Sequence, residues 1–281
     1  MKAVLITGIS TGIGKDATEY LLEKGFIVFG SVRKIEDISK MNFKNNKNFI
    51  PLVFDVTNEK EISESVKMVK EKLNGRNLDC LINNAGIAVG GPSILLKTND
   101  FRHQFEVNLF GVISVTNAFI ELLGANLNNN HRGKIINISS VSGKRAFPFV
   151  APYTASKFAL EGYSDALRRE LLLYGIDVIL IEPGPIKTAI WDKAPSEKNN
   201  PFNKSDYNKS LKRFYKITMS RGKNGLEAKE ISKRIFKIIN ATNPKSRYVI
   251  TQNKFMNFIL PGLLPDRLLD KIMGKQLKLN K

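Results

Sequence analysis

Sulfur, imidazole and indole are scarce in this chain of 281 residues, which carries one cysteine, two histidines and one tryptophan. A lone cysteine, Cys80, excludes an internal disulfide, and its setting in LDCLINNAG marks a core residue rather than a nucleophile. His103 and His131 are far apart and flanked by polar residues, so no metal-ligand spacing is present and no metal is expected. No run approaches the roughly 20 apolar residues that a membrane-spanning helix needs. The N-terminal MKAVLITGIS enters a strand-like run at once, without the apolar stretch and cleavage site of a signal peptide; a cytoplasmic location is expected. Acid is also in deficit, since 26 Asp and Glu face 44 Lys and Arg, for a formal net charge of +18. That excess raises nucleic acid and anionic membrane as partners. Most of the lysines are scattered, however, and no nucleic-acid recognition motif is present, so nucleic acid is not an expected partner.

What the chain does have is alternation. Apolar runs at Ala3–Ile6, Phe26–Gly30, Phe49–Phe54, Leu78–Ile82, Lys134–Ile138, Asp177–Ile181 and Arg247–Thr251 read as strands. Helix-length segments separate most of them, and Ile62, Val66, Val69 and Leu73 keep helical spacing over 59–73. Strands rich in Val, Ile and Leu alternating with helices imply parallel pairing with both sheet faces covered. The expected fold is therefore α/β, a single doubly wound domain built on a mainly seven-stranded parallel sheet with helices on both faces. In such sheets ligands bind beyond the carboxyl ends of the strands, where the strand order reverses.

Several motifs sit at those ends. The first strand runs into Thr7-Gly8-Ile9-Ser10-Thr11-Gly12-Ile13-Gly14, whose glycines permit close approach of a pyrophosphate to a helix N-terminus. Asn83-Asn84-Ala85-Gly86 follows the fourth strand, Ser140 the fifth, and Pro183-Gly184 the sixth. Tyr153 and Lys157 stand four apart behind Pro152, on one face of a helix that the proline helps to start. A tyrosine of ordinary pKa about 10 needs about 4 kcal/mol in favour of its phenolate to titrate near 7. A neighbouring cation is one group that supplies such a bias.

The glycine turn, Asn-Asn-Ala-Gly, the Ser140–Tyr153 separation of thirteen residues, Tyr-x-x-x-Lys and Pro-Gly together resemble the short-chain dehydrogenase/reductase family, from residue 2 to about 190. The resemblance implies hydride transfer between a nicotinamide cofactor and a ketone, aldehyde or alcohol. It makes Tyr153 the general acid/base and gives Lys157 the tasks of lowering the tyrosine pKa and holding the nicotinamide ribose. Ser140 would stabilise the substrate oxygen, and Asn108 in FEVNLFGV would support the lysine and a relay water. Cofactor contacts would come from Gly8, Ser10, Thr11, Gly12, Ile13 and Gly14, from Asp55 and Val56, and from Asn84, Ala85 and Gly86. Tyr153, Lys157, Pro183, Gly184, Ile186 and Thr188 complete that set. The second strand ends in Ser31-Val32-Arg33-Lys34 without an acid, and Arg33 suits a 2′-phosphate, so NADP is expected ahead of NAD. A homodimer or homotetramer is implied by the same resemblance. A cofactor-sensing protein on this fold is the alternative, but it would show damage at Ser140, Tyr153 or Lys157, and all three are present.

The substrate side is less legible. Residues 191–225 are expected to form a lid and 226–281 a last helix, a last strand and an apolar tail. Phe147, Phe149, Ile190, Trp191, Phe214 and Val89 are candidate walls, which suits a lipophilic carbonyl such as a steroid, retinoid or other lipid. The competing reading is that several of these only pack the lid. Between Lys198 and Lys223 eight Lys or Arg accompany one acid, Asp206, and Phe255–Leu264 and Leu268–Met273 are apolar. A solvated lid is the favoured reading of the basic stretch, with peripheral membrane contact as the competing one.

Overall fold

The computed structural model describes residues 1–188 and 200–280. Among these, the strands are β1 (Ala3–Ile6), β2 (Ile27–Val32), β3 (Phe49–Val53), β4 (Cys80–Asn83), β5 (Lys134–Ile138), β6 (Asp177–Pro183), β7 (Ile186–Lys187), β8 (Leu226–Glu227) and β9 (Arg247–Ile250). The α-helices are α1 (Gly12–Glu23), α2 (Glu36–Ser39), α3 (Glu59–Leu73), α4 (Thr98–Phe105), α5 (Gly111–Phe119), α6 (Ala151–Glu170), α7 (Asn208–Lys223), α8 (Ala228–Asn240), α9 (Leu260–Leu263) and α10 (Asp266–Leu277).

Seven strands form one sheet in the order β3-β2-β1-β4-β5-β6-β9, and every pairing in it is parallel. The seven expected strands are all present, and α3 covers the range read from its spacing. The short parallel pair β7 and β8 was not expected from sequence; two residues each are too few to leave a pattern. Alternation along the strands decides which side chain joins which layer. Val4 and Ile6 face Ala17 and Leu21 of α1 and Ile231 and Ile235 of α8. Ala3 and Leu5 face Ile62 and Val69 of α3 and Val115 and Phe119 of α5. Cys80 lies fully buried in the first layer, where desolvation pushes its thiol far above the ordinary range, in keeping with an inert core residue.

Strand order reverses between β1 and β4, and there the two strand-end loops almost touch. A Cβ on Gly8, whose φ is +71°, would stand 2.8 Å from the Ala85 Cα. Thr7 completes the junction, since its hydroxyl accepts from the amides of Asn84 and Ala85, both at 3.0 Å.

The last strand is fastened by charge. Arg247 on β9 pairs with Glu161 at 3.1 Å and Asp165 at 2.7 Å on α6, and Lys144 reaches Glu161 at 2.9 Å. Glu182 on β6 is fully buried, 3.4 Å from Arg247, and its oxygens accept no hydrogen bond. Burial first and the charge of Glu161 second raise its carboxyl from 4.5 to about 7, with Lys144 and Arg247 opposing. A carboxyl that holds its proton more tightly when folded favours the folded state at acid pH and loses that contribution as pH rises through its folded pKa. Glu182→Gln removes that proton uptake. The melting temperature of the variant should therefore gain on the wild type between about pH 5 and 8, and an offset constant over that range would show that Glu182 does not titrate there.

Candidate active site

Helix α6 delivers the key pair. Pro152 occupies its first turn, as the sequence predicts, and Tyr153 and Lys157 follow on one face. The Lys157 ammonium donates to the carbonyl oxygen of Ile138 at 2.7 Å and lies 5.9 Å from the centre of the Tyr153 ring. Ile138 is the last residue of β5, so the lysine head sits at the carboxyl edge of the sheet. Ser140 begins the turn after β5, accepts from the Ser142 amide at 3.0 Å and faces the Tyr153 phenol closely enough to lower its proton affinity. Ser140, Tyr153 and Lys157 are thus brought together across α6 and β5.

The proton affinities differ from the expectation. Burial raises the Tyr153 phenol above its ordinary value, and only the Ser140 hydrogen bond pulls it down. Burial pushes the Lys157 ammonium down to about 8, with Glu161 one turn further along α6 opposing. Lys157 is not among the groups that shift the phenol here. At 5.9 Å from the ring its charge is directed first at a main-chain oxygen, and desolvation dominates.

Asn108 lies in a single π-helical turn, Glu106–Phe110, between α4 and α5, a distortion common at functional sites. Its side chain binds the 87 loop from both ends, accepting from the Ile87 amide at 2.9 Å and donating to the Ile87 carbonyl at 3.0 Å. It also donates to the Ser156 hydroxyl at 3.2 Å. No bond joins it to Lys157 among the described contacts. One turn earlier the fully buried Gln104 makes the same kind of clamp on Ile87 and Val89. Gln104 was missed from sequence, although its spacing of four from Asn108 was visible; the partner loop was not.

The glycine turn forms a cradle. Gly8 and Gly12 have φ of +71° and +62°, and a Cβ on Gly12 would meet Thr188 at 3.3 Å, so Thr188 closes over the turn. Ser31 accepts from the Gly8 amide at 3.2 Å, which ties the end of β2 to the same turn. Thr11 caps α1 without a side-chain hydrogen bond, and the first turn holds no acid, so its amides remain available to an anion. Ser10 and Thr11 are exposed. Arg33 is exposed at the end of β2 with no ion-pair partner among the described residues. The Asp55 carboxylate accepts from the Thr57 amide and hydroxyl through Oδ1 only, at 2.9 and 2.8 Å.

Some cofactor candidates serve the fold with their side chains. Asn84 donates to the carbonyl oxygens of Thr7 and Gly8 at 2.9 and 3.0 Å. Val56 and Ile186 are buried in the core, Ile13 packs on it, and Gly184 presses on Thr251. These positions offer a ligand main chain rather than side chain. A surface cleft of about 490 Å³ flanks the cradle beside Gly12, Lys15, Lys187 and Thr188, but it includes none of the α6 pair.

Among the proposed substrate walls, Phe149 and Phe214 pack edge-to-face on each other, with centres 5.5 Å apart, and Tyr207 joins them. These contacts place both rings in the packing of the 200–223 segment, the competing reading of these two positions. Phe149 has φ of +66°, a conformation that bulky residues adopt only when packing enforces it. Ile190 and Trp191 lie outside the described residues, and Phe147 and Val89 are half-buried.

Comparison with known proteins agrees with this geometry. The family model described as short chain dehydrogenase matches residues 2–199. The chain is 41% identical over 278 residues to an NADPH-dependent 3-dehydrocapnine reductase of Ornithobacterium rhinotracheale, covering 99% of this chain and 98% of the relative. It is 37% identical over 245 residues to a 3-ketodihydrosphingosine reductase of Bacteroides thetaiotaomicron, covering 87% and 86%. A short-chain dehydrogenase from Streptomyces avermitilis superposes with a TM-score of 0.75 at 23% identity over 98% of this chain and 97% of that one. The chain belongs to the short-chain dehydrogenase family and is an oxidoreductase of CH–OH groups.

Proposed function

We propose that this protein is an NADPH-dependent reductase that converts the ketone of a long-chain, lipid-like substrate to an alcohol. The observation that carries the reading is the group of buried Ser140 and Lys157 with half-buried Tyr153 at the carboxyl edge of the sheet. The reductase names of the two full-length relatives support a 3-oxo lipid as the substrate class. The residues fit a dinucleotide, since glycines at 8 and 12 clear the turn, the α1 amides face it and Arg33 stands free for a 2′-phosphate.

When bound, the reduced nicotinamide supplies the hydride that the carbonyl carbon accepts. Ser140 donates to the substrate oxygen and stabilises the charge that gathers there. Tyr153, kept neutral by burial, transfers its phenolic proton to that oxygen. Lys157 holds the cofactor ribose and steadies the phenolate left behind. Asn108 holds the 87 loop against Ser156 of the same helix and so acts as a positioning residue. Of the lid expected over 191–225, residues 191–199 lie outside the described residues; the part from 200 on serves as the lid, since Leu211 and Tyr215 of α7 share a buried cluster with Phe149, close before α6.

NADPH oxidation should be measured with 3-ketodihydrosphingosine, 3-dehydrocapnine, retinal and a ketosteroid. Turnover of a long-chain 3-oxo base well above the others is expected, and equal or better use of retinal or steroid would reject the substrate class. Tyr153→Phe should lower kcat on the best substrate by roughly 10²- to 10⁴-fold, the usual worth of a general acid; unimpaired turnover would reject the mechanism.

Arg33→Asp should raise the KM for NADPH by about 10- to 100-fold, the loss of a charge-assisted contact, and leave the KM for NADH nearly unchanged. Equal effects on both would reject NADP preference at this position. Because the Lys157 ammonium is pushed down to about 8, it loses its charge as pH rises through that value. The kcat/KM for NADPH should therefore fall on the alkaline side of 8, and Lys157→Arg, which stays charged, should flatten that limb.

A further inference from the structure

The C-terminal segment leaves an apolar surface in the open. Phe255 and Met256 in a π-helical turn, Leu263 at the end of α9, and Leu268 and Ile272 on α10 are all exposed, Leu263 by 73% of its surface. Leu268 and Ile272 share one face of α10 and the other three belong to the segment just before it, a grouping along the chain unlike the singly scattered apolar residues that need no explanation. No helix among the described residues is long and apolar enough to cross a membrane.

The charges around it identify the occupant. On α10, Arg267, Lys271 and Lys275 recur every four residues and form a stripe one residue away from Leu268 and Ile272. Asp270 stands two residues from each of those apolar side chains and pairs loosely with Arg267 at 3.9 Å, both exposed, which leaves Lys271 and Lys275 to carry the stripe. Lys254 and Lys278, both exposed, extend the basic margin at either end. Helix α7 lies alongside, where Ser210 donates to the Lys278 carbonyl at 2.8 Å and Arg213 to that of Gln276 at 3.3 Å. Its exposed Lys209, Lys216, Arg221 and Lys223 widen the positive field, and α7 contains no acid.

We infer that this face is a docking surface for an anionic lipid bilayer, with the apolar side chains entering the interface and the basic stripe engaging the headgroups. An amphipathic helix with flanking Lys and Arg binds in that manner, and a polybasic surface adds attraction to anionic lipid. A second copy of the chain is disfavoured as occupant, because it would bring the same basic margin against itself in a molecule of formal charge +18. The surface is joined to the loop between Ser140 and Tyr153. Arg145, between Ser140 and Tyr153, donates to the Phe258 carbonyl at 2.7 Å and to that of Asn257 at 3.5 Å. Docking would therefore hold the substrate side of the crevice near the bilayer in which a long-chain ketone partitions.

The test is flotation of the full chain with vesicles of phosphatidylcholine alone or mixed with phosphatidylglycerol, at low and physiological salt. Flotation with the anionic mixture, weakened by salt and largely absent with phosphatidylcholine alone, is the expected result. The combined variant Leu263→Glu, Leu268→Glu, Ile272→Glu should lose flotation, and Lys271→Glu with Lys275→Glu should lose its anionic preference. Both variants alter exposed positions away from the α6 pair, and unchanged melting temperature and NADPH oxidation confirm their folding. Absence of flotation at low salt, or flotation equal in wild type and variants, overturns the inference. So does sedimentation showing that the triple-Glu variant dissociates a wild-type oligomer, which would make the face a subunit contact. Vesicle binding requires no turnover, so its failure and a failure of the proposed reductase activity are separable.

Discussion

An ammonium group buried at the end of a strand needs a fixed partner, and Lys157 finds it in the carbonyl oxygen of Ile138. Leaving such a charge unpaired in the interior would cost several kcal/mol, so the bond fixes α6 against β5 in rotation and in height. Once α6 is held in this way, Tyr153 stands one turn nearer the opening, beside Ser140 on the loop that leaves the same strand. One turn deeper, Glu161 meets Lys144 and Arg247, and Arg247 in turn carries β9 into the sheet. The stripe Tyr153, Lys157, Glu161 thus links the reacting edge to the attachment of the last strand.

The same burial determines which proton forms these groups adopt. Desolvation works against charge on every one of them, raising the Tyr153 and Glu182 acids and lowering the Lys157 cation. A neutral phenol is the form that can give a proton. An ammonium near 8 remains largely charged at neutral pH and can hold ribose hydroxyls. Asn108 and Gln104 contribute differently, by fastening the 87–89 loop through its main chain. Their π-turn and α4 setting brings two amides to one loop without placing either in contact with Lys157.

The lid and the C-terminal segment are built on another principle. Phe149, Leu211, Tyr215 and Leu277 form a third buried cluster apart from the two sheet layers. It is small, and it leaves the outer sides of α9 and α10 uncovered. Lysines and exposed apolar side chains share this surface, while the sheet beneath it is covered on both faces by helices.

Strand count, parallel sheet and the glycine turn were readable in the sequence, because each rests on local periodicity or fixed spacing, whereas the Ser140, Tyr153 and Lys157 set came from resemblance to a family pattern. Alternation of Val4 and Ile6 with Ala3 and Leu5 specifies two faces without any knowledge of partners. Other features depended on residues distant in the chain. That burial would outweigh the lysine at Tyr153, that Asn84 would serve the fold with its side chain, and that Phe149 and Phe214 would pack on each other follow only from the folded environment. So does the meeting of Glu161, Glu182 and Arg247 from α6, β6 and β9. Spacing along a chain determines what a residue can form with its near neighbours; desolvation and long-range charge are properties of the volume around it, and that volume exists only once the sheet and its layers have assembled.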